Sequence, residues 1–282
     1  MNDSDLIFRQ ISYDDALGGF QLSSREGWNQ TLADWQFILM NLPTSGYVAI
    51  IKERVVGTAL AINYSDDFSW IAMVLTDIHY RSQGISTRLM TLLLDSLGDK
   101  RSIMLDATDT GMHLYRKFGF NSDYQILRMK LDSLPTISTT NFNHISELAE
   151  EDIDRLATFD LSIMDFDRKL LITKIIAQKF ISISQGKMDG YICMRQGYKY
   201  LHIGPLVSTD IIVAKELMNF MFCQNMEFPI ILDVPIYQEE FLFWLKSIGF
   251  VKQRVFTRMF KNKNFSNTIN QNQFITSGPE FG

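Results

Sequence analysis

The chain is poor in cysteine, with only Cys193 and Cys223 among its 282 residues. Two thiols make neither a disulfide framework nor a zinc pattern, so both read as small buried hydrophobes. No Lys/Arg-rich run is present and the formal net charge is −5, so nothing recruits nucleic acid by charge. No apolar run approaches the ~20 residues of a membrane span. Met1–Leu6 is acidic and polar rather than leader-like, and a cytoplasmic protein is expected. His79, His113, His144 and His202 show no ligand spacing, so no metal is expected. Neither a G-x-S-x-G elbow nor a Cys/His nucleophile pair occurs, which argues against a covalent mechanism. What is present is a globular balance, 46% hydrophobic and 21% charged, at a length that suits two domains.

The two halves repeat each other. Gly119-Phe120 is followed after seven residues by Arg128-Met129, and Gly249-Phe250 after seven by Arg258-Met259. Upstream of each lies an apolar segment ending in Leu-Asp, Ile103–Asp106 and Ile230–Asp233, and further upstream a hairpin that ends at Gly57 or Gly190. Four matches in one order indicate duplication. The expected division is a first domain over 1–132, a Ser/Thr/Asn-rich linker over 133–142, a second domain over 143–261 and a flexible polar tail over 262–282.

In the first half the pattern predicts strands over 7–11, 47–51, 55–63, 68–76, 102–106 and 125–131. Helices are predicted over 14–25, 31–42, 84–98 and 110–118, with Thr31 as an N-cap. Ile85, Leu89, Leu93 and Leu97 fall at spacing four and share one buried stripe. The fold class is α/β (α+β): a mixed, mostly antiparallel sheet flanked by helices, twice over.

The segment Arg81-Ser82-Gln83-Gly84-Ile85-Ser86 follows a strand and opens a helix. The first N–H groups of a helix lack internal partners and carry the positive end of its dipole, so this junction is an anion cradle. Gly84 lets backbone approach a phosphate closely. Downstream stands Leu114-Tyr115-Arg116-Lys117-Phe118-Gly119-Phe120. Together, strand 74–80, loop 81–86 and this segment resemble the acetyl-CoA motifs of the GNAT superfamily, over about residues 5–131.

The resemblance implies an N-acetyltransferase with acetyl-CoA as co-substrate and a small-molecule amine as acceptor, attacking the thioester directly. It assigns Arg81, Ser82, Gln83, Gly84, Ile85, Ser86 and Thr87 to the phosphates. Val74, Leu75 and Thr76 fall to the pantetheine arm and acetyl group, with an N–H near Leu75 polarising the carbonyl. Tyr115 becomes the general acid; without the resemblance it reads equally as an aromatic packed at a helix end. Glu26 and Trp28 border the acceptor. Glu26, Asp77 or a water chain is the base, and Asp77 alternatively caps the strand. Ser86 stands in place of the more usual Gly or Ala, and Ile78 where Pro is common. Protein amino groups are an alternative acceptor, and a non-catalytic acetyl-CoA sensor or scaffold is an alternative of another class.

The second half departs from the pattern. Its strand and loop read Ile203-Gly204-Pro205-Leu206-Val207-Ser208-Thr209, without Arg-x-x-Gly-x-small. The distance from hairpin Gly to Leu-Asp is 49 residues in the first half (57 to 106) and 43 in the second (190 to 233). Leu245 stands opposite Tyr115, and Ser208 or Thr209 is the expected cap of the following helix. Gly204-Pro205, Asp160, Arg168, Asp233-Val234-Pro235 and Trp244 resemble the C-terminal halves of tandem GNAT proteins, which implies a fold but no substrate. One acetyl-CoA per chain is expected.

Overall fold

The computed structural model describes residues 6–99, 101–133, 142–174, 178–184, 186–224, 226, 229–262 and 270–282. The chain forms two compact units. The first holds residues up to Ser122 together with Arg258–Asn264 and Pro279–Phe281; the second holds Asp123–Thr257, Phe265–Gly278 and Gly282. Most of the linker expected over 133–142 lies outside the described residues.

The first unit runs β1 (Leu6–Gln10), α1 (Ala16–Arg25), α2 (Leu32–Asn41), β2 (Thr44–Ile51), β3 (Arg54–Asn63), β4 (Phe68–Thr76), α3 (Ile85–Leu97), β5 (Ser102–Ala107) and α4 (Asp109–Lys117). Thr31 caps α2 as expected, accepting from the Asp34 N–H at 3.1 Å while Asp34 bonds back to the Thr31 N–H. The stripe Ile85, Leu89, Leu93 and Leu97 is buried. β1 to β4 pair antiparallel in order, and β5 lies parallel beside β4. β3 and β4 read as near-continuous apolar runs because helices cover both their faces. Gly57 on β3 admits α3: a Cβ there would stand 2.9 Å from Ile85 and 3.0 Å from Leu89.

The second unit contains β6 (Asn121–Leu131), β7 (Ile145–Glu147), α5 (Ile153–Met164), α6 (Lys169–Lys174), β8 (Gln178–Ser184), β9 (Lys187–Gln196), β10 (Leu201–Ser208), α7 (Ile211–Phe222), β11 (Ile230–Pro235), α8 (Glu239–Ser247), β12 (Val251–Lys261) and β13 (Gln273–Ile275). Gly190 repeats the part of Gly57, with Val213 and Leu217 of α7 at 2.8 and 2.9 Å from a built Cβ. The sheet order is β6-β11-β10-β9-β8-β7, with β13 against β10.

Cys193 is buried as expected, but Cys223 is exposed. Two larger expectations are also corrected. The strand predicted over 125–131 does not close the first unit. As β6 it pairs antiparallel with β11 from Ile126–Pro235 to Leu131–Ile230. The edge beside β5 is taken instead by the end of β12, with Arg258–Lys261 counted in the first unit. Each junction has its own buried ion pair. Arg258 meets Asp106 at 2.8 and 2.9 Å, and Arg128 meets Asp233 at 2.8 and 2.7 Å. The second correction concerns the tail: residues 270–282 are largely buried and include β13. Backbone pairing and the apolar side chains Phe274, Ile275 and Phe281 fix this polar-looking segment.

Candidate active site

β4 is the axis of the site. Its register with β3 passes from Leu60–Ala72 to Thr58–Leu75, so Met73 and Val74 both stand opposite Ala59. Met73 takes φ 53°, and Thr58 Oγ1 donates to its carbonyl at 2.7 Å. This is a β-bulge, the device by which a strand re-aims its backbone groups. On its other side β4 pairs with β5 only over Phe68–Trp70. Beyond Trp70 the strands part, and the fork borders β4 from Ile71 to Thr76. Val74 is only half-buried, while Leu75 and Thr76 are buried.

The strand leaves through a turn fixed by Asp77. Its Oδ1 accepts from the His79 N–H at 3.0 Å, and its Oδ2 meets Arg54 at 2.6 Å and Arg25 at 3.1 Å. Both oxygens are engaged, which suits the strand-capping role better than the base. Arg25 and Arg54, which the sequence pattern did not single out, complete this joint.

The loop then reaches α3. Ser82 takes φ 63° and Gly84 φ 80°, two left-handed residues flanking Gln83, as in backbone nests that hold anions. Gly84 is the N-cap and offers no side chain, so the first-turn amides of α3 keep no side-chain acceptor. Nothing lies within 4 Å of a Cβ built on Gly84. Arg81, Ser82, Gln83 and Thr87 are exposed, Ser86 half-buried and Ile85 buried in the core. Ser86 Oγ is 2.7 Å from Thr76 Oγ1, which ties helix start to strand end. Arg81 folds back: Nε donates to the Thr76 carbonyl at 3.2 Å, and its guanidinium meets Glu26 at 2.5 Å. The pair links the α1–α2 connection to the loop. That connection also carries half-buried Trp28 and buried Gln30, whose Oε1 has no partner among the described residues.

Tyr115 sits near the end of α4, buried among Ile85, Leu89 and Ala107 and edge-on to Phe120 at 6.0 Å between ring centres. Burial raises its pKa, so the phenol keeps its proton at neutral pH. Among the described residues no three His, Cys, Asp or Glu side chains stand together as a metal group, and no helix is long and apolar enough to cross a membrane.

Comparison with known proteins gives two family matches, one for each half. Residues 13–120 match the model of the acetyltransferase (GNAT) family, and residues 156–275 match that of an acetyltransferase (GNAT) domain. A holothin acyltransferase of Pseudoalteromonas sp. is 23% identical over 258 residues, which is 89% of this chain and 86% of the relative. A solved structure from Pyrococcus horikoshii, provisionally assigned as an acetyltransferase, superposes with a TM-score of 0.80 at 19% identity, covering 100% of this chain and 98% of its own. A tandem GNAT protein from the clavulanic acid biosynthesis pathway gives 0.65 at 12% identity, covering 93% and 100%.

Proposed function

We infer the reaction from the family: the chain belongs to the GNAT superfamily of acetyltransferases, carries two of its domains in tandem, and is an acyltransferase. We propose further that the first unit takes the acetyl group from acetyl-CoA and transfers it to the primary amine of a small molecule.

The observation that carries this reading is the open edge of β4 running to the uncapped start of α3. An extended ligand arm can add to such an edge as a strand would. A diphosphate suits the amides and dipole at the helix start. Bound acetyl-CoA supplies a thioester carbon that an amine lone pair attacks, with the C–S bond breaking and the thiolate leaving. The bulge at Met73–Val74 turns backbone N–H toward the carbonyl oxygen, where a preorganised donor stabilises developing charge. Holding donor and acceptor side by side contributes through orientation. Tyr115 gives its phenolic proton to the departing sulfur and regains one from the proton the amine sheds; burial raises its pKa, which keeps the phenol protonated at rest while making it a weaker donor. The amine's own proton leaves through water, because both oxygens of Asp77 are engaged and Glu26 is paired with Arg81. Oε1 of Gln30, buried and without a partner among the described residues, supports an acceptor that brings an N–H. The Pseudoalteromonas relative is named for a compound, holothin, and that supports a small acceptor over a protein one.

A panel of small amines assayed for free thiol release from acetyl-CoA tests the reading. Release with at least one primary amine is expected. Tight acetyl-CoA binding without release from any amine would make the chain a sensor, and release only with peptide amino groups would move the acceptor class.

A further inference from the structure

The second unit repeats the geometry of the first and then closes it. β10 has its bulge at the corresponding place: Ile203 pairs with Met194 and Leu206 with Ile192, leaving Gly204 and Pro205 opposite Cys193. β10 meets β11 only at Leu201–Ile230 and His202–Ile231, so this pair also forks. Here the fork is filled. β13 lies antiparallel to β10, with Leu206 opposite Ile275 and Val207 opposite Gln273. The Ser208 N–H donates to the Asn272 carbonyl at 3.0 Å, and the Thr276 N–H donates to the Asp233 carbonyl of β11 at 2.9 Å. The segment therefore bonds to both arms of the fork. Gln238 Nε2 holds it from outside through the carbonyls of Gln271 and Gln273, at 2.8 and 3.1 Å. Phe274 packs on Phe241 with ring centres 5.3 Å apart. Contact is so close at the bulge that a Cβ on Gly204 would stand 2.2 Å from the Thr276 carbonyl oxygen. Arg168, fully buried, binds Ser277 Oγ at 3.0 Å.

The helix start is closed as well. Asp210 caps α7, its carboxylate accepting from the N–H of Ile212 at 2.8 Å and of Val213 at 3.0 Å. This replaces the cap expected from Ser208 or Thr209, whose place in the chain is one or two residues too early. A fixed negative charge thus holds the amides that a phosphate needs, and it repels a diphosphate besides. The second unit's family match implies the same coenzyme as the first, and its residues do not fit it.

We propose that residues 272–277 are the built-in occupant of the second unit's strand fork. With Asp210 at the helix start, the chain itself fills both places that a coenzyme would take. The second acetyltransferase-like domain is then a self-occupied copy that holds no acetyl-CoA. The inference rests on the proposed donor only for the ligand used to probe it.

Hydrogen exchange read by mass spectrometry on the full chain, with and without saturating acetyl-CoA, tests this alongside titration calorimetry. In the resting protein, the amides of 273–276 should exchange at least about a hundredfold more slowly than in a free peptide. Acetyl-CoA should leave them unchanged, protect residues 82–87, and bind with a stoichiometry near one. A stoichiometry near two, acetyl-CoA that speeds exchange at 273–276, or peptide-like exchange there at rest would each overturn the proposal. A stoichiometry of zero with 273–276 still protected supports the self-occupied fork and overturns the donor assigned to the first unit.

Discussion

At the scale of single residues, Tyr115 and Gly84 separate chemistry from packing. Tyr115 is buried in the first unit's core, and Tyr115→Phe removes one oxygen while the ring keeps its contact with Phe120. Folding and acetyl-CoA affinity should survive. If the phenol gives the proton, the turnover number should fall by ~10²–10⁴-fold under conditions where chemistry limits the rate. A turnover within about threefold of wild type would leave Tyr115 a packing residue. Gly84 is the complementary case. Its φ of 80° suits glycine, and the space around a built Cβ is open. Gly84→Val should therefore cost only about 1–2 kcal/mol of backbone strain, while its methyl groups enter the space assigned to phosphate. Calorimetry should show acetyl-CoA affinity lowered by about tenfold or more in a folded variant, and unchanged affinity would remove the loop from the mechanism. Both candidates stand out in the sequence because each sits in a short local pattern. Arg25 and Arg54 were not, since only the folded chain brings them to Asp77.

At the scale of elements, each closing strand carries one arginine of a buried ion pair. Arg258 on β12 meets Asp106 on β5, and Arg128 on β6 meets Asp233 on β11, each pair nearly sequestered from water. Removing one partner of a buried pair strands the other, at about 3–5 kcal/mol. Arg258→Ala should lower the denaturant midpoint of the first unit, and Arg128→Ala that of the second. A loss under about 1 kcal/mol for either would mean that water reaches the pair. The same pair sets an acid limit. Burial alone would raise the Asp233 carboxyl, but the charge and hydrogen bonds of Arg128, helped by His202, outweigh it and hold its pKa below the ordinary value. Its contribution is complete above the unfolded value of about 4 and is lost as pH falls through the folded value. Circular dichroism during acid titration should show the second unit losing structure below about pH 4, and Asp233→Asn should flatten that dependence. The strands and helices of the first half are legible in the sequence, because α3 has its stripe and β3 and β4 their near-continuous apolar runs. β13 was missed: Gln273-Phe274-Ile275 lies in a polar segment with no run or alternation long enough to mark a strand.

At the scale of the whole molecule, the repeat was visible but its wiring was not. The repeated Arg and Leu-Asp motifs suggest that each half completes itself, yet Arg128 serves Asp233 and Arg258 serves Asp106. Strand pairing is non-local, and nothing in the order of motifs along a chain says which copy of a strand fills which edge. The consequence is testable by cutting the chain within 134–141. The N-terminal piece would carry β6, which the second unit pairs with β11 along six successive positions from Ile126 to Leu131. The C-terminal piece would carry Arg258–Lys261, which the first unit uses beside β5. Neither piece can complete its own sheet, so the nicked protein should elute as one particle and separate only on denaturation. A fragment of residues 1–132 made alone should fare worse, because it lacks Arg258 and leaves the Asp106 carboxylate, 2% exposed in the intact chain, without its guanidinium. Its thermal unfolding should be broad and its acetyl-CoA affinity weaker than that of the full chain. Cooperative melting of that fragment with full-length affinity would show that the exchanged strands are dispensable, and that the two halves are independent domains after all.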